Sequence, residues 1–422
     1  MAEIGYQVDS TLMKWGKLAA ETHETNPDLQ HPNSIDIFDR MRREDPQVKS
    51  VLRAVTLPIL RTEWAIDGTG CRPEVVARVA TNMGLPVKGQ VATAPLRMKG
   101  RFSFSEFLRL ALLNLAYGHS FFEQVYDQSS DGAHLRKLAW RPPRTIDDVE
   151  VARDGGLISI KQHGLPGDGD IKIPVDRLVA FVHEREGANW FGESILRSAY
   201  KMWLLKDRVL RIQALTADRN GLGLPVFTSG PPPEGEDIDK VIAWMEEEIK
   251  RGLKIAKGAR AGDTAGISLG HGATFELKGV AGDLPDTEKA IRYYDEQIAR
   301  AVLAHFLNLG TETGSWALGS TFANFFTDSL NAVAQSMADV INQHVIEDLV
   351  DLNWGEHEPA PRLVPAAIGE QQPVTAEAIK KLVDCGAIEV DEPLEAWLRE
   401  RFGAPVKDLA TKRNAPRVKE AA

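Results

Sequence analysis

The chain has 422 residues, enough for two or three domain-sized units with a substantial core. Hydrophobic residues make up 43% and charged residues 26%, with a formal net charge of −10, values of an ordinary globular protein. That sign argues against a tight nucleic-acid wrapper. It is compatible with a surface that DNA slides past. The longest apolar runs stop well short of a bilayer span, and the N-terminus lacks the pattern of a secretory signal, so no membrane association is expected. Cys71 and Cys385 are the only cysteines and form no disulfide framework, as suits folding in a reducing cytoplasm.

In chain order, residues 1 to about 33 are polar and aperiodic and read as an arm or loosely ordered segment. Ser34 precedes the amphipathic helix IDIFDRMRR. Asp45-Pro46 then starts a second helix, with Asp45 as N-cap and Pro46 in the first turn. Pro58 is expected to kink or end it. EWAIDG (63–68) reads as a strand. Ser103 and Glu106 form a capping-box pattern ahead of FLRLALLNLAYG; Gly118 ends that helix, and SFFEQVYD follows as a strand. VEVARDGGLISIKQHG reads as a hairpin turning at Asp154-Gly155-Gly156, and LVAFVHE (178–184) as another strand. Together these predict an α+β first half.

A long helix is expected over about Glu193 to Asn220. On it Arg197, Lys201, Arg208, Arg211 and Arg219 fall within an arc of roughly 80°. This basic stripe is either a solvated face or a surface for DNA or for an acidic neighbour. Residues 222–283 read as a small α+β insert: a helix VIAWMEEEIKRG, a Gly-rich basic segment KIAKGARAGDTAG and a hairpin ISLGHGATFELKG. The segment around Lys254 and Arg260 either touches phosphate or is a surface loop. A further helix runs from Pro285 to about Leu307. TETGSWALGS (311–320), with two glycines in ten residues, reads as a loop carrying one large aromatic, Trp316. A helix of over thirty residues follows, with Phe322, Phe326, Leu330, Val333, Met337, Val340 or Ile341, Val345 and Leu349 in packed spacing, closed by Gly355. The tail holds two short helices, starting at Thr375 and Pro393.

Chemistry-bearing motifs are lacking. No GxxxxGK[ST], HExxH, GxSxG or spaced Cys/His quartet occurs, so no enzyme, cofactor or metal centre is expected. His305 and His344, on the two late helices, and His357, between two glutamates, read as structural or surface residues. Asp168-Gly169-Asp170 reads as a turn.

Four stretches in order narrow the reading: DPQVKSVLRAVTLPILRTEWAIDG, FLRLALLNLAYGHSFFEQVYD, the passage from Phe191-Gly192-Glu193-Ser194 into the long helix, and YYDEQIARAVLAHFLNLGTETGSWALGSTFANFF. In this order the chain resembles the portal proteins of tailed double-stranded DNA phages, closest to the group that includes Mu-like portals, over about residues 35–355. The resemblance implies a ring of subunits, usually twelve, at one capsid vertex of the virion, made in the host cytoplasm, through which DNA passes non-specifically. It implies an N-terminal arm (1–30), a wing (31–193 with 321–360), stem helices (194–221 and 285–307), a clip (222–284), a tunnel loop (308–320) and a small crown (361–422). Lys250, Arg251, Lys254, Lys257 and Arg260 would face the terminase large subunit and head–tail adaptor. Thr311, Glu312, Thr313, Gly314, Ser315, Trp316 and Gly319 would line the channel. Major capsid and scaffold proteins are the remaining expected partners. Acidic residues such as Glu288, Asp295 and Glu296 of a neighbouring subunit are favoured over DNA as partners of the basic stripe, since several persistent phosphate contacts would hold DNA fast. Two other readings stand beside this one: another ring-forming connector from a prophage or gene-transfer particle, and a carboxylate-dependent hydrolase.

Overall fold

The protein is described from a computed structural model. It covers residues 24–90, 102–258 except 166, 168, 223 and 236, then 267–278, 286–302, 316–369, and five helical positions between 381 and 398. The chain divides into two compact units, Met1–Ala366 and Ala367–Ala422. In the second, residues 381, 383, 384, 395 and 398 are helical, where the two short tail helices are expected.

The first unit opens with α1 (Asn33–Glu44) and α2 (Pro46–Arg61). Asp45 caps α2 by accepting from the amides of Gln47 and Val48. Pro58 does not end α2; it sits in the last turn, and its carbonyl still accepts from Thr62 N at 3.0 Å. The ring removes only the bond to the carbonyl of residue 54, near a frayed end. β1 (Trp64–Asp67) follows, then α3 (Pro73–Met83), a helix absent from the sequence reading. Its signals were present: Pro at the first turn, buried Val75, Val76, Val79 and Met83 at helical spacing, and Gly84 in the left-handed conformation.

The expected helix before Gly118 is broken into α4 (Phe104–Ala111) and α5 (Asn114–Tyr117), with Ser103 capping the first. Next come β2 (His119–Ser129), β3 (Gly132–Arg141), β4 (Ile146–Val151), β5 (Leu157–Gln162), β6 (Ile171–Pro174) and β7 (Leu178–Val182). They form two antiparallel sheets, β3-β2-β7 and β4-β5-β6. Phe121 and Leu178 of the first pack with Ile146, Leu157, Ile160 and Ile173 of the second in one core cluster. Each such side chain contributes roughly 1.5–3 kcal/mol by leaving water.

α6 spans Tyr200–Leu222 and starts seven residues later than expected. The preceding residues are drawn into the corner at Gly118: Ile195 N donates to Leu115 O, and Ser194 Oγ to Ala116 O at 2.7 Å. The insert holds β8 (Leu224–Thr228), α7 (Ile238–Gly258) and β9 (Thr274–Lys278). The hairpin expected over 267–279 is a single strand that pairs with β8 instead. The helix also continues six residues past the expected Gly252, because Leu253, Lys254, Ile255, Ala256 and Lys257 are adequate helix formers. α8 (Thr287–Ala301), capped by Asp286, packs on α6.

α9 (Trp316–Ile341), a π turn (Asn342–Ile346) and α10 (Glu347–Trp354) make the long closing helix, and Gly355 at φ 89° ends it. Its buried stripe runs Leu330, Ala334, Met337, Ile341, Val345, Leu349. Steps of four residues over-rotate an α-helix by about 40° each, and the wider π turn keeps Val345 and Leu349 facing inward. It also turns Asn342 onto β10 (Arg362–Pro365): Nδ2 donates to Leu363 O at 3.1 Å and Oδ1 accepts from Leu363 N at 2.7 Å. β10 pairs antiparallel with β1, Trp64 opposite Pro365.

Candidate functional site

The described surfaces that bear on function are the root of α6, its outer length and the insert. At the root, Leu29, Ile35, Phe38 and Met41 pack with Tyr117, Leu196, Tyr200, Trp203 of α6 and Ile298 of α8 in one buried cluster. Residues 24–31 belong to this packing rather than to a loose arm: Arg197 Nε lies 2.5 Å from Glu24 Oε2, and Tyr200 OH donates to Asp28 at 3.1 Å.

Asp39 anchors the same region. Its carboxylate accepts from Tyr117 OH (2.7 Å), Arg42 Nε (2.8 Å), Arg43 Nε (2.9 Å) and an Arg144 amine (2.9 Å). Burial alone would raise this carboxyl, but the bonds from Arg43, Tyr117 and Arg42 outweigh it and hold it well below the ordinary range. Burial and the Asp39 charge push the Tyr117 phenol up to about 12.

One member of the basic stripe is not on the helix. Arg197 precedes α6 and is held by Glu24 within the same chain. Lys201, Arg208 and Arg211 are exposed on the helix, with Arg211 paired to Asp207 at 2.8 Å. The side chain of Arg219 lies outside the described residues. Its proposed acidic partners are engaged in cis: Glu288 pairs with Arg292, Glu296 lies 3.8 Å from Arg300, and Asp295 contacts Lys206.

Lys206 is a further cation of α6, outside the stripe. It points inward, its side chain 7% exposed. Nζ donates to both oxygens of Asp45 at 3.0 and 2.9 Å and lies 2.6 Å from Asp295 Oδ1. That last contact is off the line of a good hydrogen bond, so it acts as a charge pair. Burial lowers the ammonium and the two carboxylates more than reverse it, so the net shift is upward. One side chain thus joins the cap of α2 to both α6 and α8.

Beyond this junction α6 is bare. Leu204 is 44%, Leu210 42%, Ile212 42% and Leu215 56% exposed. On α7, Ile238, Ile242, Met245, Ile249 and Leu253 form an exposed apolar line at helical spacing. Lys250, Lys254 and Lys257 are exposed on one face of its C-terminal half, and Arg251 pairs with Glu248 at 3.2 Å. Arg260 lies outside the described residues, as do Thr311, Glu312, Thr313, Gly314, Ser315 and His305. Trp316 and Gly319, expected in the loop, belong to the first turns of α9. Of the two glycines only Gly319 falls there, and a lone Gly costs a helix about 1 kcal/mol.

The remaining polar candidates have structural partners. Glu358 accepts from Arg72 Nε and Nη2 at 2.7 and 2.6 Å, Asp170 binds Lys161, and the His344 carbonyl accepts from Gln124. No described helix is long and apolar enough to cross a membrane.

Comparison with solved structures finds the same fold in chains from gene transfer agent particles. A chain from the neck of an empty particle, computed with C6 symmetry, aligns over 88% of this chain and 94% of its own, with a TM-score of 0.55 and 13% identity. A chain from the neck of a native particle, computed with C12 symmetry, gives 0.53 and 12% over the same shares. A chain from the native virion gives 0.51 and 13%, again over 88% and 94%. A search of curated sequences returns no match. The family profile described as the portal protein of Mu bacteriophage matches residues 35–404, most of the chain. The chain therefore belongs to the portal protein family of Mu bacteriophage.

Proposed function

We propose that this portal protein assembles into a closed ring at one capsid vertex and that double-stranded DNA passes through its centre during packaging and ejection. The observation that carries the ring is the exposed face of α6, which packs on α8 and leaves four large apolar side chains in solvent among the described residues. Surfaces of this kind mark protein interfaces. A closed rotation axis would cover them by setting one face of the helix pair against a different face on the next copy. Twelve subunits is the expected number, supported by the twelvefold symmetry of one neck structure sharing the fold.

In this reading residues 31–193 and 321–360 form the wing, 194–221 and 285–307 the stem, and 308–320 the tunnel loop with the start of α9. Residues 361–422 take the crown position. The insert 222–284 is the clip, whose exposed Lys250, Lys254 and Lys257 are suited to acidic surfaces on a terminase or head–tail adaptor. The role is structural, and we assign no catalytic step. Lys201, Arg208 and Arg211 are the candidates to face DNA or the neighbouring stem. An overall charge of −10 suits a wall from which DNA must detach. The same ring in a gene transfer particle is the second reading, favoured by the neck chains above; a terminase gene upstream and capsid genes downstream in a complete phage genome would decide for the first.

Negative-stain microscopy of the purified full chain tests the proposal. Rings with a central hole are expected. A protein that stays monomeric or dimeric across a wide concentration range would overturn it.

A further inference from the structure

His31, His119 and Phe191 form one aromatic cluster where residues 24–31, β2, β4 and the passage into α6 meet. His31 stacks on the Phe191 ring at 4.0 Å, and His119 meets the same ring edge-on at 5.3 Å. His119 is almost wholly buried, at 1% exposure. Its Nδ1 lies 3.1 Å from Phe191 O, and His31 Nε2 lies 3.0 Å from Ile146 O. A carbonyl oxygen only accepts, so each of these nitrogens carries the single proton of a neutral ring. The opposite nitrogens, His31 Nδ1 and His119 Nε2, are buried and have no hydrogen-bond partner.

This arrangement admits neutral rings and rejects charged ones. A second proton on either ring would create a buried N–H with nothing to receive it, on a cation removed from water. The two ring centroids are 6.2 Å apart, so a charge on one also disfavours a charge on the other. The ionisable groups facing the pair are Glu24 on the segment of His31, Asp147 and Asp148 on β4, Tyr117 of α5, and Glu193 and Arg197 before α6. None of them bonds to a free ring nitrogen. Glu24 is held by Arg197, and Asp147 by Lys161.

We propose that the His31–His119 pair is an acid-released latch, closed while both rings are neutral and opened by proton uptake, which frees residues 24–31 and Phe191 and loosens the root of α6. Burial is the largest influence on both rings: it lowers His31 against the pull of Asp147 and Asp148, and holds His119 down at about 3. Once the segment lifts, both imidazoles reach water and titrate near the ordinary 6.5. The folded-state values lie below the unfolded one, so the latch holds fully above about pH 6.5 and weakens as pH falls. Ordinary carboxylates titrate near pH 4, below the window from about pH 6.5 to 5 in which the rings act. This inference is independent of ring formation.

Hydrogen exchange of the full-length protein, followed by mass spectrometry at about pH 7.5 and pH 5 and corrected for the intrinsic rate, reads the opening. Peptides over residues 27–35 and 193–196 should show opening constants raised about thirtyfold for each ring that takes up a proton, and about a thousandfold for both. Peptides over α3, which carries neither ring, should not change. Glutamine can still donate to the same carbonyl without titrating, so His31→Gln and His119→Gln should each remove about thirtyfold of the rise. In the unsubstituted protein, which requires no variant to fold, a rise below about threefold would overturn the latch. An equal rise in α3, which marks general weakening in acid, or the full rise retained in both variants would overturn it as well.

Discussion

Replacing Lys206 with Met tests the junction of α2, α6 and α8. Methionine keeps most of the packed volume and removes the charge. Deleting one member of a buried ion pair costs about 3–5 kcal/mol. Here the lower end applies, because Asp45 keeps two amide donors, from Gln47 and Val48, and the Asp295 side chain is 33% exposed. At about 2 °C per kcal/mol for a unit of this size, Lys206→Met should lower the melting midpoint by roughly 6 °C at fixed subunit concentration. Asp45→Asn retains an N-cap acceptor and loses the charge. The double variant should therefore melt well above the sum of the two losses, with a coupling of about 2 kcal/mol. The same pair with Asp295→Asn should couple more weakly, through one contact to a half-open carboxylate. A Lys206→Met loss below about 1 kcal/mol, or simple additivity with Asp45→Asn, would refute the assignment of the triad as the junction.

Asp39 has a lowered folded-state value, so its contribution is complete above the unfolded carboxylate range near pH 4 and is lost as pH falls further. The melting temperature of the native chain should fall more steeply from pH 4 to pH 2 than that of Asp39→Asn. Lys206 is shifted upward, and its contribution should hold below about pH 10 and fade above it; Lys206→Met should flatten that alkaline limb. Gly118→Ala places a Cβ 2.4 Å from Phe191 O at φ 88°, whereas Gly70→Ala at φ 81° meets nothing within 4 Å. The first should cost more than about 2 kcal/mol and the second about 1–2, the left-handed penalty alone, both read from melting curves. Deleting residues 311–315 should leave rings intact by microscopy and reduce packaged DNA; loss of rings would make the segment an assembly element.

What could be read from the sequence was local. Asp45-Pro46, the Ser103 cap, Gly118 and the Asp154-Gly155-Gly156 turn each act within a few residues, and each stands where expected. Elements defined by distant partners were not legible. The β8–β9 pairing depends on residues some fifty positions apart, and the start of α6 depends on carbonyls at Leu115 and Ala116. Lys206 looked like one more charge on a charged helix. Its value lies in facing Asp45, 161 positions away, which no helical projection contains. α3 was different: its signals were local and simply went unread.

The pairing of β1 with β10 has a consequence for synthesis. Ribosomes add about 5–20 residues per second, and Trp64 must wait for Pro365, so one edge of the first strand stays unpaired for roughly 15 to 60 seconds. Its other edge is met early, by the bridge from Ile66 to Val87. A nascent or prematurely terminated chain therefore exposes an open strand edge, the kind that recruits other chains into aggregates. β10 works as a completion signal: until it docks under the Asn342 clamp, the sheet that it forms with β1 is unfinished.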